Sequence, residues 1–424
     1  MDARLPGKKG WLVTGFGLLL FSGMMAAGYL YNVTFIQLGL TDLGERVLSL
    51  SPTAVATRMA GFAVVTCTVA LVFGWWMTRS GRGADFRWKA KAALAVLSVQ
   101  ALLTACVLAV DSAGEMSAWL LAAGAAMGAA VPVTFALTVD FVPVAARGWT
   151  AGLITATAYL SANLLPADWR IEVLAKDMLI LMPLGLLLTA GLAFVRHPWI
   201  DQWANQHRDP SFGRGRYLPS AGHSRFPLRL LAVIAIMFAA FFIDSLGFLR
   251  LLDSPTHMLS AWQSNEPGVR LALGGVHVLG AAIGAVFYSY LDDKTLYLSI
   301  FGLFGLTHLL YTMAARSTGT PALAMPMLYA LAVSMYTVVT FALWADVSTP
   351  KTIGVRAAVG VALSGWTATF LSTALALRWI EAGLPLTRHL QWVDAGAVLL
   401  FLSMILVIYF ARSASPVNPK RGHI

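Results

Sequence analysis

Charged side chains are scarce in this chain of 424 residues. Asp, Glu, Lys and Arg together make up 12% of it, about half the share of roughly 25% that soluble domains carry. So thin a supply cannot cover a water-facing surface, which excludes an ordinary soluble domain. Cysteine is scarcer still: Cys67 and Cys106 are the only two. Both fall inside apolar runs, where a thiol behaves as a small hydrophobe, so no disulfide framework is expected. The chain also lacks a Gly-x-x-x-x-Gly-Lys phosphate loop, a Gly-x-Ser-x-Gly elbow, a His-Glu-x-x-His pair and any paired-cysteine motif. Their absence argues against an ATP-driven pump or a membrane hydrolase. No enzymatic activity, cofactor or metal is therefore expected.

What the chain has in abundance is apolar sequence, with 58% hydrophobic residues and a mean hydropathy of +0.72. Runs of about 20 residues, enough to cross a hydrocarbon core of roughly 30 Å, recur from end to end. They predict twelve spans, at 11–35, 54–77, 91–110, 117–140, 149–168, 177–196, 229–252, 269–290, 296–315, 322–345, 353–377 and 391–411. The basic excess of 30 Lys and Arg over 20 Asp and Glu follows this topology and does not point to nucleic acid. With the N-terminus inside, 21 of the 30 fall in inside loops, 8 in outside loops, and Arg58 within a span. By the positive-inside rule both termini are cytoplasmic, and a bacterial inner membrane is the expected location. Lys8-Lys9 before an apolar run, with Met25-Ala26-Ala27-Gly28 further on, resembles a signal peptide. The loop sorting works with that span kept, which predicts an uncleaved anchor.

The chain also reads as duplicated. Val133-Thr134-Phe135-Ala136-Leu137-x-x-Asp140 recurs 206 positions later as Val339-Thr340-Phe341-Ala342-Leu343-x-x-Asp346, and each copy is followed by a glycine, Gly148 or Gly354. Each copy closes the fourth span of its own half. With six spans per half, an even number, both copies enter the bilayer in the same direction, as parallel repeats related by an axis along the membrane normal. The expected fold is all-α, twelve transmembrane helices in two parallel six-helix repeats. The expected divisions are a first bundle at 1–196, a basic cytoplasmic linker at 197–228 carrying Arg208, Arg214 and Arg216, and a second bundle with a short tail at 229–424. Within the linker, Trp199, Ile200 and Trp203 share a face at helical spacing, which suits a short helix in the headgroup region or an irregular tether. Gly124-xxx-Gly128 and Gly280-xxx-Gly284 are expected to be helix-packing faces.

After the second span, Gly74-Trp-Trp-Met-Thr78-Arg79-Ser-Gly81-Arg82 resembles the Gly-x-x-x-Asp-Arg-x-Gly-Arg-Arg loop motif of the major facilitator superfamily. Gly74, Arg79, Gly81 and Arg82 fit, whereas Thr78 replaces the acid and Gly83 the last basic residue. After the fourth span, Asp140-x-x-Pro143-x-x-x-Arg147-Gly148 is similar to a second pattern of that family. The resemblance implies two bundles rocking about a central cavity, with loop residues latching the cytoplasmic side. The gate candidates are Gly74, Arg79, Gly81, Arg82, Asp140, Arg147 and Asp346. An ion pair of Asp140 with Arg147 or Arg79 would form the latch; the alternative is that the arginines only anchor the inside face and Asp140 is solvated.

A charge near the bilayer centre costs on the order of 3 kcal/mol, so an ionisable residue there is a functional candidate. Asp244 in the seventh span and His277 in the eighth each lie about eight residues inward from the outer lip, roughly 12 Å at 1.5 Å per residue, and can face each other. A buried carboxylate beside a histidine suits proton coupling. The structural alternatives are an Asp244 hydrogen-bonded to Ser245 or to a neighbouring helix, and a His277 satisfied within the core. His308 in the ninth span is a lesser candidate. Arg58 can bind an anionic solute, pair across the cavity with Asp244, or snorkel to the surface. Gln37 in the first span occupies the place that Asp244 takes in the seventh, once a one-residue gap is allowed. The expected partners are therefore a small-molecule substrate, protons and the lipid bilayer, and the expected activity is secondary transport. Two other functions fit the same sequence: a transporter-like subunit that assembles a membrane complex, and efflux of lipophilic compounds.

Overall fold

The computed structural model describes residues 8–165, 169–218, 226–252, 264–316 and 323–413. Among these the chain is helical, and twelve helices account for the spans. They are α1 (Trp11–Val47), α2 (Pro52–Arg79), α3 (Phe86–Ala109), α4 (Ala113–Phe141), α5 (Arg147–Leu164) and α6 (Ile171–Phe194), then α7 (Phe226–Leu252), α8 (Pro267–Tyr290), α9 (Asp293–Arg316), α10 (Ala324–Asp346), α11 (Ile353–Glu381) and α12 (Leu386–Ser413). Ten are long and apolar enough to cross a membrane on those grounds alone. The other two are α5, rich in Thr, Ser and Asn, and α9, whose apolar part is the shorter Thr295–Tyr311.

Side-chain caps start several helices where the chain leaves the membrane boundary. Ser51 Oγ accepts the Ala54 amide ahead of Pro52, Asp85 Oδ1 accepts the Trp88 amide, and Ser112 Oγ accepts the Glu115 amide. Each satisfies an amide that the first turn of a helix leaves unpaired.

The first helix is longer than its apolar run predicts, extending from 35 to Val47 through π-helical turns at Tyr31–Gly39 and Leu43–Val47. Its polar end is an ion-pair cluster: Arg46 pairs with Asp42 at 2.7 Å and with Glu172 at 2.6 Å, and Asp42 also accepts the Ile171 amide. Charges that read as a loop in the sequence are thereby held in helix.

The packing is layered. The apolar part of α10 is 83% buried within the protein, while that of α3 is 17% and that of α6 is 28% buried, so α10 is an interior helix and α3 and α6 face outward. Helix α5 packs along α8 and α11 along α2, which joins the first six helices to the last six. The anticipated glycine faces are where backbones meet: a Cβ on Gly128 would come within 2.6 Å of the Thr66 carbonyl oxygen, and one on Gly280 within 2.7 Å of that of Leu331. In the linker, helix Pro198–Gln206 is packed against protein. Trp203 is buried and donates to the Val13 carbonyl at 3.0 Å, holding this helix against α1.

Candidate central cavity and gate

Asp244 is buried on α7. Both of its oxygens accept tyrosine hydroxyls from α10, Tyr329 on Oδ1 at 2.6 Å and Tyr336 on Oδ2. The two tyrosines are seven residues apart, hence on one face of that helix. A neighbouring helix, not Ser245, therefore satisfies the acid.

Around it is a cavity of about 60 Å³ lined by 15 residues, eight of them aromatic. Gln37 of α1 lines the same cavity and donates to Thr373 Oγ1 of α11 at 3.5 Å. A second cavity, about 190 Å³, adjoins the first and shares Tyr29, Asn32, Phe241 and Trp366 with it; none of the described residues lining it is charged. The π-helical segment Ala358–Thr367 of α11 carries Val361, Gly365 and Trp366 to these walls. Its hydroxyls reach back five residues, Thr367 Oγ1 to the Ala362 carbonyl at 2.8 Å. Wide turns of this kind are concentrated at functional sites.

Three of the sequence candidates stand apart from Asp244. His277 does not line the cavity with Asp244. Its Nδ1 meets Ser334 Oγ at 2.8 Å and its ring stacks on Tyr159 at 4.4 Å. The tight approach of α8 to α10 at Gly280 turns this face of α8 onto the neighbouring helix. His308 also stands behind the wall, edge-on to Phe304 and Tyr329, and its buried Nε2 has no hydrogen-bond partner. Arg58 does not pair with Asp244: it is half-buried, donating to the Ala54 carbonyl at 2.9 Å and Ser117 Oγ at 3.1 Å on its own and an adjacent helix.

The ion pairs at the basic face also differ from expectation. Asp140 contacts neither Arg147 nor Arg79; it pairs with Lys89 and accepts His207 Nδ1 at 3.0 Å. Lys89 is fully buried and also donates to the Ala136 carbonyl at 3.0 Å. Arg147 reaches across to the other half of the chain and pairs with Asp346 at 2.7 Å, both side chains being buried. The second oxygen of Asp346 accepts the Tyr288 hydroxyl at 2.8 Å. The linker covers this pair. The Phe212 carbonyl accepts from Arg147, the Gly215 amide donates to the Ser348 carbonyl at 3.0 Å, and the Tyr217 amide donates to that of Asp346 at 2.9 Å.

In the loop after α2, Arg79 is exposed over Trp75, and Arg82 forms a surface pair with Asp85 at 3.2 Å, so neither takes part in the buried pairs. Gly81 takes φ +71° in the turn, a left-handed conformation that suits glycine. Gly74 packs beneath the Gly354 carbonyl. Thr78, where the motif has an acid, accepts the Val355 amide at the start of α11 at 3.3 Å. A Cβ on Gly83 would lie 2.2 Å from the Pro350 carbonyl oxygen, so that position holds no basic side chain. Lys89, His207, Tyr288, Tyr329 and Tyr336 were not singled out in the sequence; the i, i+7 tyrosine pair on the most buried helix was the available signal.

The structure is a helical membrane protein in which α5 and α11 join two six-helix sets around a polar-centred cavity. Solved structures agree: 245 chains match this fold. One is the human organic anion transporter MFSD10 (TETRAN), at TM-score 0.63 and 14% identity over 94% of this chain and 100% of that one. Another is the major facilitator superfamily proton:xylose symporter XylE bound to 6-bromo-6-deoxy-D-glucose, at TM-score 0.62 and 14% identity over 93% and 95%. The chain shares its overall fold with these two proteins. No protein-family model and no curated protein matches the sequence.

Proposed function

We propose that this protein is a secondary active transporter that moves a small solute across the bilayer by alternating access, with protons as the coupling ion. The observation that carries this reading is Asp244: a buried carboxylate on the wall of an interior cavity whose other walls come from both halves of the chain, α1 and α11 among them. Intramembrane acids that face a cavity are characteristic of ion and solute pathways. In this reading the bundles at 1–196 and 229–424 rock about the cavity. Arg147 and Asp346, which bridge them, hold the basic face shut, and the linker at 197–228 reinforces the closure. The basic face is the cytoplasmic one. Asp244 takes up and releases the coupling proton, and Tyr329 and Tyr336 keep its oxygens oriented through the cycle.

Proteoliposomes containing the purified protein test this reading with a panel of radiolabelled cationic, neutral and anionic solutes. At least one solute is expected to accumulate under an imposed pH gradient, and Asp244→Asn is expected to abolish that accumulation. Uptake that ignores the gradient and persists in Asp244→Asn would eliminate the coupling role.

A second reading, a non-transporting subunit or assembly factor, is favoured by one observation: the linker backbone is bonded directly to Asp346 and Ser348, which would suit a permanently closed face. Stable co-purification with other membrane subunits, with no solute movement in the same panel, would establish it.

A further inference from the structure

The chemistry of the two adjoining cavities narrows the substrate class, an inference that rests on the transport reading above. Among the described residues lining the smaller cavity there is one carboxylate, Asp244, and no lysine, arginine or histidine. Among the described residues its polar partners are the two tyrosine hydroxyls; hydroxyl dipoles do not neutralise a buried negative charge, and no described residue on the wall supplies a counter-ion. Eight of the other fourteen lining residues are aromatic, with Asn32, Gln37, Ser245 and Thr369 the polar ones among the rest. Tyr29 stands edge-on to Tyr159 at 5.7 Å with their hydroxyls 2.9 Å apart, Phe241 edge-on to Tyr336 at 5.2 Å, and Trp366 completes the enclosure. Aromatic faces attract cations, most strongly where water is excluded, and cages of such rings around an acid are the means by which quaternary ammonium groups are recognised.

The larger cavity adds the second half of the specificity. It opens from the same Tyr29 and Trp366, and its walls are methionine, leucine, valine and phenylalanine side chains with a few hydroxyls and amides but no charge. At about 190 Å³ it exceeds the roughly 150 Å³ of an apolar cavity able to hold benzene. We propose that the site binds a lipophilic organic cation, with its ammonium group in the aromatic box at Asp244 and its apolar body in the adjoining cavity. Organic anions are disfavoured, because they would bring a like charge to Asp244, the only charged group among the described residues on these walls.

The test is calorimetric titration of the full-length protein in lipid nanodiscs, blanked against empty nanodiscs. Three probes of similar shape are used: benzyltrimethylammonium, its neutral isostere neopentylbenzene, and benzenesulfonate. The cation is expected to bind at least about tenfold more tightly than either of the others, and Asp244→Asn to weaken it by a similar factor without weakening the neutral probe. Because selectivity is read on the unaltered chain, the result does not depend on the variant folding. Equal or tighter binding of the neutral or anionic probe, or no saturable binding of the cation, overturns the assignment. Uptake into proteoliposomes separates the two readings. If a neutral or anionic solute is transported in an Asp244-dependent way, the cation assignment falls and transport stands. If the cation binds selectively while no solute moves, transport falls and the cation site stands.

Discussion

Replacing Asp346 by asparagine preserves the shape of the side chain and removes its charge. Arg147 is 2% exposed, its Nη1 is 2.7 Å from Asp346, and its Nε has no hydrogen-bond partner. In Asp346→Asn the guanidinium stays buried with only the Phe212 carbonyl and an amide oxygen for company. Removing one member of a buried pair costs about 3–5 kcal/mol. If the arginine is buried only while the basic face is closed, the whole of that cost falls on the closed state. At 1.4 kcal/mol per factor of ten, the ratio of open to closed forms then rises by roughly a hundredfold to a few thousandfold. Ser348 is a suitable reporter: it is fully buried two residues beyond Asp346 and its carbonyl accepts the Gly215 amide of the linker. In a Cys67→Ala, Cys106→Ala background, Ser348→Cys should react with a membrane-impermeant maleimide slowly in the parent and far faster in Asp346→Asn. Replacing both partners by apolar residues, Arg147→Met with Asp346→Leu, should restore much of the protection, because no uncompensated charge remains. An exposed pair would be worth at most about 1 kcal/mol, a factor of roughly five. A labelling rate within that factor of the parent, in a protein whose helical content is intact, would refute the assignment of this pair as the latch.

Three further outcomes follow from the same packing. Lys89→Met leaves Asp140 buried with His207 as its remaining ionisable partner; a loss of about 3–5 kcal/mol is expected in thermal or denaturant unfolding, with partial recovery in the Lys89→Met, Asp140→Leu double variant. Gly360→Ala places a Cβ 2.0 Å from the fully buried Trp344 ring. The ring must shift, and a destabilisation of about 1–3 kcal/mol is expected; an unchanged melting temperature would show that this crossing is loose. Arg58→Gln, whose parent side chain is half-buried and bonds only to α2 and α4, should alter stability by less than about 1 kcal/mol and leave uptake intact, and a loss of uptake would return Arg58 to the substrate pathway.

The fold was largely readable from the chain because a bilayer imposes a one-dimensional rule, about 20 apolar residues per crossing. Even α5 and α9, which fall short of the ten most apolar helices, were counted as apolar runs at 149–168 and 296–315. The site was readable in depth and not in direction. Counting inward from the lip puts Asp244 and His277 at one level, but the direction in which each points about its helix axis depends on which neighbour packs closest. The small residues at Gly280 and Gly284 bring α8 against α10, and this turns His277 onto Ser334 and away from the acid. Tertiary context decided the gate as well. Asp140 and Asp346 are the same position in two copies of one motif, yet the first takes its cation from α3 and the second from α5, across the interface between the halves. A repeat seen in sequence predicts equivalent backbones and says nothing about equivalent partners. The first pairing lies within one half and the second between the halves. Under the proposed alternating-access cycle, only a pair between the halves would have to break when the bundles separate, and that difference makes Arg147 and Asp346 the proposed gate and leaves Lys89 and Asp140 as a brace.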